Sequence, residues 1–156
     1  MQLEKEHDMT TRSAEHATFA LERTYPAAPE RVFAAWSTRE AKSKWFGQPD
    51  ESAYSLDFRV GGRETNVGGP PDGLVYTFEA NYQEIVPNER IVYGYTMDAG
   101  ETRISVSVTT VEFAADGAGT KLTFTEQGVF LDGKDKPEIR EGGTASILDA
   151  LGAALE

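Results

Sequence analysis

Cysteine is absent from the chain, and histidine occurs only twice, as His7 and His16 near the N-terminus. Without cysteine there is no thiol nucleophile, thiolate zinc site or redox pair. Both histidines lie outside the patterned part of the sequence. A Ser-His-Asp triad or a histidine-based metal centre in the folded body is therefore not expected. We expect no metal and no cofactor, and any catalysis would rest on Asp, Glu, Lys, Arg, Tyr, Ser or Thr. Basic residues are scarce too: 15 Lys and Arg against 26 Asp and Glu give a net charge of -11. No Lys/Arg cluster breaks that excess, so neither nucleic acid nor an anionic membrane surface is an expected partner. No apolar run approaches the roughly 20 residues of a membrane helix. The polar, acidic N-terminus has no signal-peptide character. The expected compartment is the cytoplasm, which suits a cysteine-free sequence.

What is present is an ordinary globular composition, 39% hydrophobic and 26% charged over 156 residues, which suits one domain. Residues 1–16 are polar and without period, so they read as a flexible tail before a single domain over 17–156. "ATFALERTY" (17–25) alternates as a first strand, with Phe19, Leu21 and Tyr25 on one face. "PAAPERVFAAW" (26–36) opens a helix with Pro29 in its first turn and Val32, Phe33 and Trp36 as its buried stripe. In "STREAKSKWFG" (37–47), Ser37 and Glu40 fit a capping box, Ala41 and Trp45 share a face, and Gly47 ends a second helix.

Strand patterns follow. "YSLDFRV" (54–60) turns at Gly61-Gly62 into "RETNV" (63–67), and "GGPPDG" (68–73) is loop chemistry. "LVYTFEANYQEIV" (74–86) aligns Leu74, Tyr76, Phe78, Ala80 and Tyr82. "ERIVYGYTM" (89–97) puts Ile91, Tyr93, Tyr95 and Met97 on one face. In "TRISVSVTTVEF" (102–113), Ile104, Val106 and Val108 are in phase while Val111 and Phe113 are not, which predicts a β-bulge near Thr109. After the turn "ADGAGT" (115–120), Leu122, Phe124 and Glu126 share a face. Residues 138–156 form a helix with Ile147, Leu148, Leu151 and Leu155 as its stripe among many small residues.

The pattern predicts an α+β fold: one strand, two short helices, six antiparallel strands and one long terminal helix. A single long helix can cover a seven-stranded sheet only if the sheet curves around it. The sheet face is rich in large aromatics and the helix in small residues. Large against small can pack as solid core. Alternatively the helix underfills the space and leaves an apolar cavity with tyrosine hydroxyls pointing in.

This order of elements resembles the helix-grip fold of the START and birch-pollen-allergen superfamily, SRPBCC. Closer still, "RTYPAAPERVFAAWS" (23–37), "KWFG" (44–47), "DFRVGG" (57–62), "YQEIVPNERIVY" (82–93), "GTKLTFTEQGVF" (119–130) and the closing helix are similar to the branch named after the activator of 90-kDa heat-shock-protein ATPase. The resemblance implies a curved seven-stranded sheet around the C-terminal helix, with two short helices between strands 1 and 2. Its members include lipid and sterol carriers, hormone receptors, polyketide aromatases and cyclases, and a co-chaperone domain, so fold does not settle function. Where the final helix of many relatives opens with a tryptophan after a glycine, this chain reads "GGTAS" (142–146) with Thr144. The smaller residue would enlarge the cavity, change its mouth or be repacked by a neighbour.

Phe58, Tyr76, Phe78, Tyr93, Tyr95, Phe124, Glu126, Leu148 and Leu151 are the candidate ligand-lining residues, and no catalytic residue is assigned. Trp36 and Trp45 read as core of the short helices. Glu126, if it points inward, is a buried carboxylate and an acid/base candidate. The plainer expectation leaves it solvated past the covered part of the sheet. Asp57 and Arg59 suit a cross-strand ion pair with Arg23 or Arg103 as further members. The leading functional reading is an intracellular module that binds a small apolar or amphipathic molecule between sheet and helix. The alternatives are a cyclase, aromatase or hydrolase using acid/base residues there, and a chaperone-associated interaction domain. A sheet edge or the convex face could pair two copies into a homodimer.

Overall fold

A computed structural model describes residues 11–47, 53–69 and 73–156. Alternating segments form β1 (Ala14–Tyr25), β2 (Tyr54–Leu56), β3 (Arg63–Gly68), β4 (Tyr76–Val86), β5 (Arg90–Ala99), β6 (Thr102–Asp116) and β7 (Gly119–Leu131). The helices are α1 (Pro29–Ser37), α2 (Arg39–Lys42) and α3 (Pro137–Ala154). The strands make one antiparallel sheet in the order β1-β7-β6-β5-β4-β3-β2. Every strand from β2 to β7 neighbours its successor, and β1 closes the far edge on β7. The architecture is the expected α+β arrangement, with α1 and α2 between β1 and β2 and α3 at the end of the chain.

Each strand turns alternate side chains to one face, and there the core collects: Phe78, Ala80 and Tyr82 from β4, Ile91, Tyr93 and Tyr95 from β5, Leu122 and Phe124 from β7. Helix α1 adds Val32, Phe33 and Trp36, and α3 adds Leu148 and Leu151, with Leu155 just beyond it. Aromatic rings bind these layers edge to face, Phe33 against Phe113 at 5.4 Å and Trp36 against Trp45 at 4.7 Å between centroids.

The structure differs from the sequence reading at several points. Strand β1 begins at Ala14, inside the segment expected to be a tail; residues 1–10 lie outside the described residues. Its early residues are held by pairing with the extended end of β7, Ala14 opposite Leu131. Thr38, not Ser37, caps α2, its hydroxyl accepting the Ala41 N–H at 3.1 Å. The Ser37 hydroxyl instead donates back to the Ala34 carbonyl. Strand β2 stops at Leu56, and Arg59 bonds its own neighbour Asp57 on the surface at 2.9 Å rather than across strands. Arg23 and Arg103 are taken by Asp149 and Asp98. Gly62 permits this tight reversal, because a Cβ there would collide with the Asp57 carbonyl oxygen. Leu74 and Tyr76, expected in phase with Phe78, are exposed.

The most consequential difference is in β6. Its ladders are continuous at Thr109, and the extra residue is Ile104, between the pairs Met97–Ser105 and Asp98–Arg103. Past it, Ser105, Ser107, Thr109, Val111 and Phe113 are buried while Val106 and Val108 are exposed. The apolar phase taken from Val106 and Val108 thus belongs to the solvent face. From Ser105 to Thr109, small hydroxyl residues and not valines face the concave side.

Candidate ligand cavity

Between the concave face, the α1–α2 corner and the first half of α3 lies a cavity of about 330 Å³. Its size falls at the lower end of ligand pockets. The sheet contributes Asn66, Phe78, Tyr93, Tyr95, Met97, Phe124 and Glu126. The corner contributes Trp36, Trp45, Phe46 and Gly47; the helix side contributes Asp135, Ile139, Arg140, Gly143, Thr144, Ile147 and Leu148.

The C-terminal half of α3 packs on Tyr25, and its first half borders the cavity. Near its C-terminus, the Tyr25 hydroxyl donates to the Leu148 carbonyl at 2.7 Å, and Arg23 holds Asp149. Gly152 faces the Tyr25 ring so closely that a Cβ would lie 3.2 Å from it. At Gly142 and Gly143 an added Cβ would meet nothing within 4 Å. Thr144, buried on the cavity wall, extends too little to fill the gap.

One polar cluster ties the first half of α3 to the sheet. Arg140 donates to the Tyr95 hydroxyl at 2.7 Å, to Ser105 Oγ at 2.8 Å and to Asp135 at 2.7 Å, and lies 3.3 Å from Glu126 Oε2. Tyr95 donates in turn to Glu126 Oε2 at 2.7 Å. Burial, and next the Glu126 carboxylate, hold the Tyr95 phenol above its ordinary pKa, so it remains a neutral donor. Burial opposes the charge on Arg140, but Tyr95, Glu126 and Asp135 outweigh it and raise its pKa. The bulge at Ile104 has a direct consequence here, since it turns Ser105 inward to meet the guanidinium.

Glu126 is 1% exposed. Strand β7 runs on to Leu131, so Glu126 sits within the ladder, opposite Phe19 on one side and Thr109 on the other, not in solvent past the covered region. Its Oε2 is satisfied by Tyr95, but its Oε1 is buried with no hydrogen-bond partner among the described residues. The Trp36 indole N–H, on another cavity-lining residue, is likewise unpartnered. Buried polar atoms without partners are uncommon and mark places where a water or a ligand completes the bonding.

A second buried cluster lies behind the aromatic wall. Lys42 and Glu64 are fully buried and paired at 2.9 Å, and Glu64 also accepts the hydroxyls of Tyr54 at 2.6 Å and Tyr82 at 2.7 Å. The Lys42 ammonium lies 4.5 Å from the Phe46 ring centroid and 5.1 Å from that of Trp36. Burial lowers the Lys42 pKa, with Glu64 opposing. This cluster fixes the rings that face the cavity.

Of the residues expected to line a site, Phe78, Tyr93, Tyr95, Phe124, Glu126 and Leu148 border the cavity. Phe58 packs instead on Phe33 and Tyr82. Leu151 is fully buried in the core, and exposed Tyr76 borders a shallow groove with Gly68, Gly69 and Met97. Trp36 and Trp45 are core, as expected, and also cavity wall. Arg140, Asp135, Ser105, Lys42 and Glu64 were not singled out. A signal for Arg140 was present: residues 140, 144, 148 and 151 repeat at helical spacing, which places a cation on the buried stripe.

A curved antiparallel sheet gripping a C-terminal helix over an apolar cavity defines a helix-grip protein of the SRPBCC superfamily. Residues 26–156 match the family described as activator of Hsp90 ATPase homolog 1-like protein, and the chain belongs to that family. An uncharacterized protein from Rhizobium leguminosarum is 52% identical over 94% of this chain and 98% of its own, with a TM-score of 0.89. A protein from Rhizobium loti is 44% identical over 91% of this chain and 99% of its own, at 0.87. CalU16 from Micromonospora echinospora, 15% identical over 93% and 85% at 0.64, shares the fold alone. No curated protein matches the chain.

Proposed function

We propose that this protein binds a small apolar or amphipathic molecule in the cavity between the sheet and α3. The observation that carries the reading is an aromatic cavity of ligand size bordered by Glu126, whose buried Oε1 has no partner among the described residues. Ligand sites are of this kind: an apolar enclosure with a few fixed polar atoms. Tyr95 and Arg140 occupy the other carboxylate oxygen and hold the group rigid, so a ligand meets a preorganised acceptor.

Native mass spectrometry of freshly purified protein, set beside the same sample denatured, tests the reading. Extra mass that leaves on denaturation supports it, and its identity names the ligand. Bare protein that also takes up no ring-containing probe at millimolar concentration contradicts it.

The same residue supports an acid/base enzyme as a second reading, since Glu126 borders the cavity with Oε1 unpartnered among the described residues while Tyr95 stays a neutral donor. Under that reading Glu126→Gln abolishes turnover of the identified ligand and keeps its binding. A retained ligand recovered chemically unchanged from wild-type protein after long incubation counts against it.

A further inference from the structure

Resting on the cavity reading, we infer that the ligand is a non-anionic, ring-containing molecule that presents a hydrogen-bond donor to Glu126 Oε1, and that carboxylate-headed lipids are excluded. Four observations lead there. The unpartnered atom of Glu126 is an acceptor, 1% exposed, on a residue that borders the cavity. Only a donor satisfies it.

The neighbouring cation does not offer itself to an acid. Arg140 is spent on four protein oxygens, with Glu126 and Asp135 both within ion-pair distance at 3.3 and 2.7 Å. One guanidinium is thus shared between two carboxyl groups. A ligand carboxylate brought there would find the guanidinium's donors taken and two acidic side chains beside it.

The walls favour rings over chains. Phe46 and Phe78 meet edge to face at 5.2 Å, and Phe78 and Tyr95 lie 4.8 Å apart at a 40° tilt. Such an array offers ring edges and faces to a planar guest. Finally, Gly143 and Thr144 border the same cavity as these rings, and a Cβ added at Gly143 would meet nothing within 4 Å, which leaves room for a compact ring system.

The test is a matched series on one ring system, read by isothermal titration at pH 7: naphthalene, 2-naphthol and 2-naphthoate. The inference expects 2-naphthol to bind about tenfold tighter than naphthalene, as befits a hydrogen bond to a charged acceptor. It expects 2-naphthoate to bind more weakly than naphthalene. In Glu126→Gln, checked for native circular dichroism, both differences shrink together: the naphthol advantage falls and the naphthoate penalty eases. A general loosening of the cavity would weaken all three ligands alike. If naphthoate equals or exceeds naphthol on wild-type protein, the donor assignment is overturned while the cavity reading stands. If none of the three binds, both fall.

Discussion

Lys42 carries a buried ammonium group, held by the Glu64 carboxylate, the Tyr82 hydroxyl and the surrounding rings. A buried pair is weak evidence of net stability, but removing one partner strands the other. Lys42→Met is expected to destabilise the fold by about 3–5 kcal/mol, measured by urea denaturation. Adding Glu64→Gln should recover a large part of that loss, and full additivity of the two changes would contradict the pairing. Neither residue stands out in the sequence. In "REAKSKW" a lysine looks like solvated helix surface, and in "RETNV" Glu64 has no apolar neighbours to mark an inward face. Only the three-dimensional approach of α2 to β3 makes them a pair. Glu126 was more legible, since its phase with Leu122 and Phe124 already pointed inward. What the sequence withheld was the length of β7, which decides whether that position is covered.

At the scale of elements, α3 decides whether there is a cavity at all. Its small residues do two different jobs. Gly152 allows contact with Tyr25, whereas Gly142 and Gly143 lie beside open space. Gly142→Ala should therefore stabilise the protein by up to about 1 kcal/mol through helix propensity alone, seen as a raised denaturation midpoint. Gly152→Ala should gain less or lose, because the Tyr25 ring must give way; equal gains at both positions would contradict that contact. Thr144→Trp should fill the cavity, preserving the fold while removing 2-naphthol binding in calorimetry. Retained affinity would place the ligand elsewhere. The composition of α3 was readable as small against large, but volumes are not summed by a pattern, so solid core and cavity stayed open. In β6 the pattern misled, because valines on the solvent face imitate a core phase and the bulge sits five residues earlier, at Ile104 rather than Thr109.

Across the whole molecule, burial raises the phenol pKa of Tyr25, Tyr54, Tyr82, Tyr93 and Tyr95 above the ordinary 10.0. An unfolded chain would release these protons near pH 10 while the folded one keeps them. The stability they support is complete below about pH 10 and falls as pH rises beyond it. Lys42 acts oppositely: its lowered pKa makes stability rise with pH up to its ordinary 10.5. One lysine against five tyrosines leaves the net slope negative above pH 10. Phenolate absorbance and far-ultraviolet circular dichroism should change together there in one cooperative step. Phenolate appearing for these tyrosines before the loss of secondary structure would contradict their burial.

The same rings that resist ionisation enclose the cavity, and the overall fold that assembles them was legible because strand alternation, two early helices and one late helix admit few compact arrangements. The cavity itself depends on how the volumes of α3 and the aromatic wall add up, which no periodicity encodes. The most direct measurement is therefore isothermal titration of 2-naphthol into wild-type protein and Thr144→Trp in parallel. The account predicts saturable one-to-one binding to the wild type and none to the filled variant, with both equally folded by circular dichroism. Binding to neither, or undiminished binding to both, would contradict a ligand held between the sheet and α3.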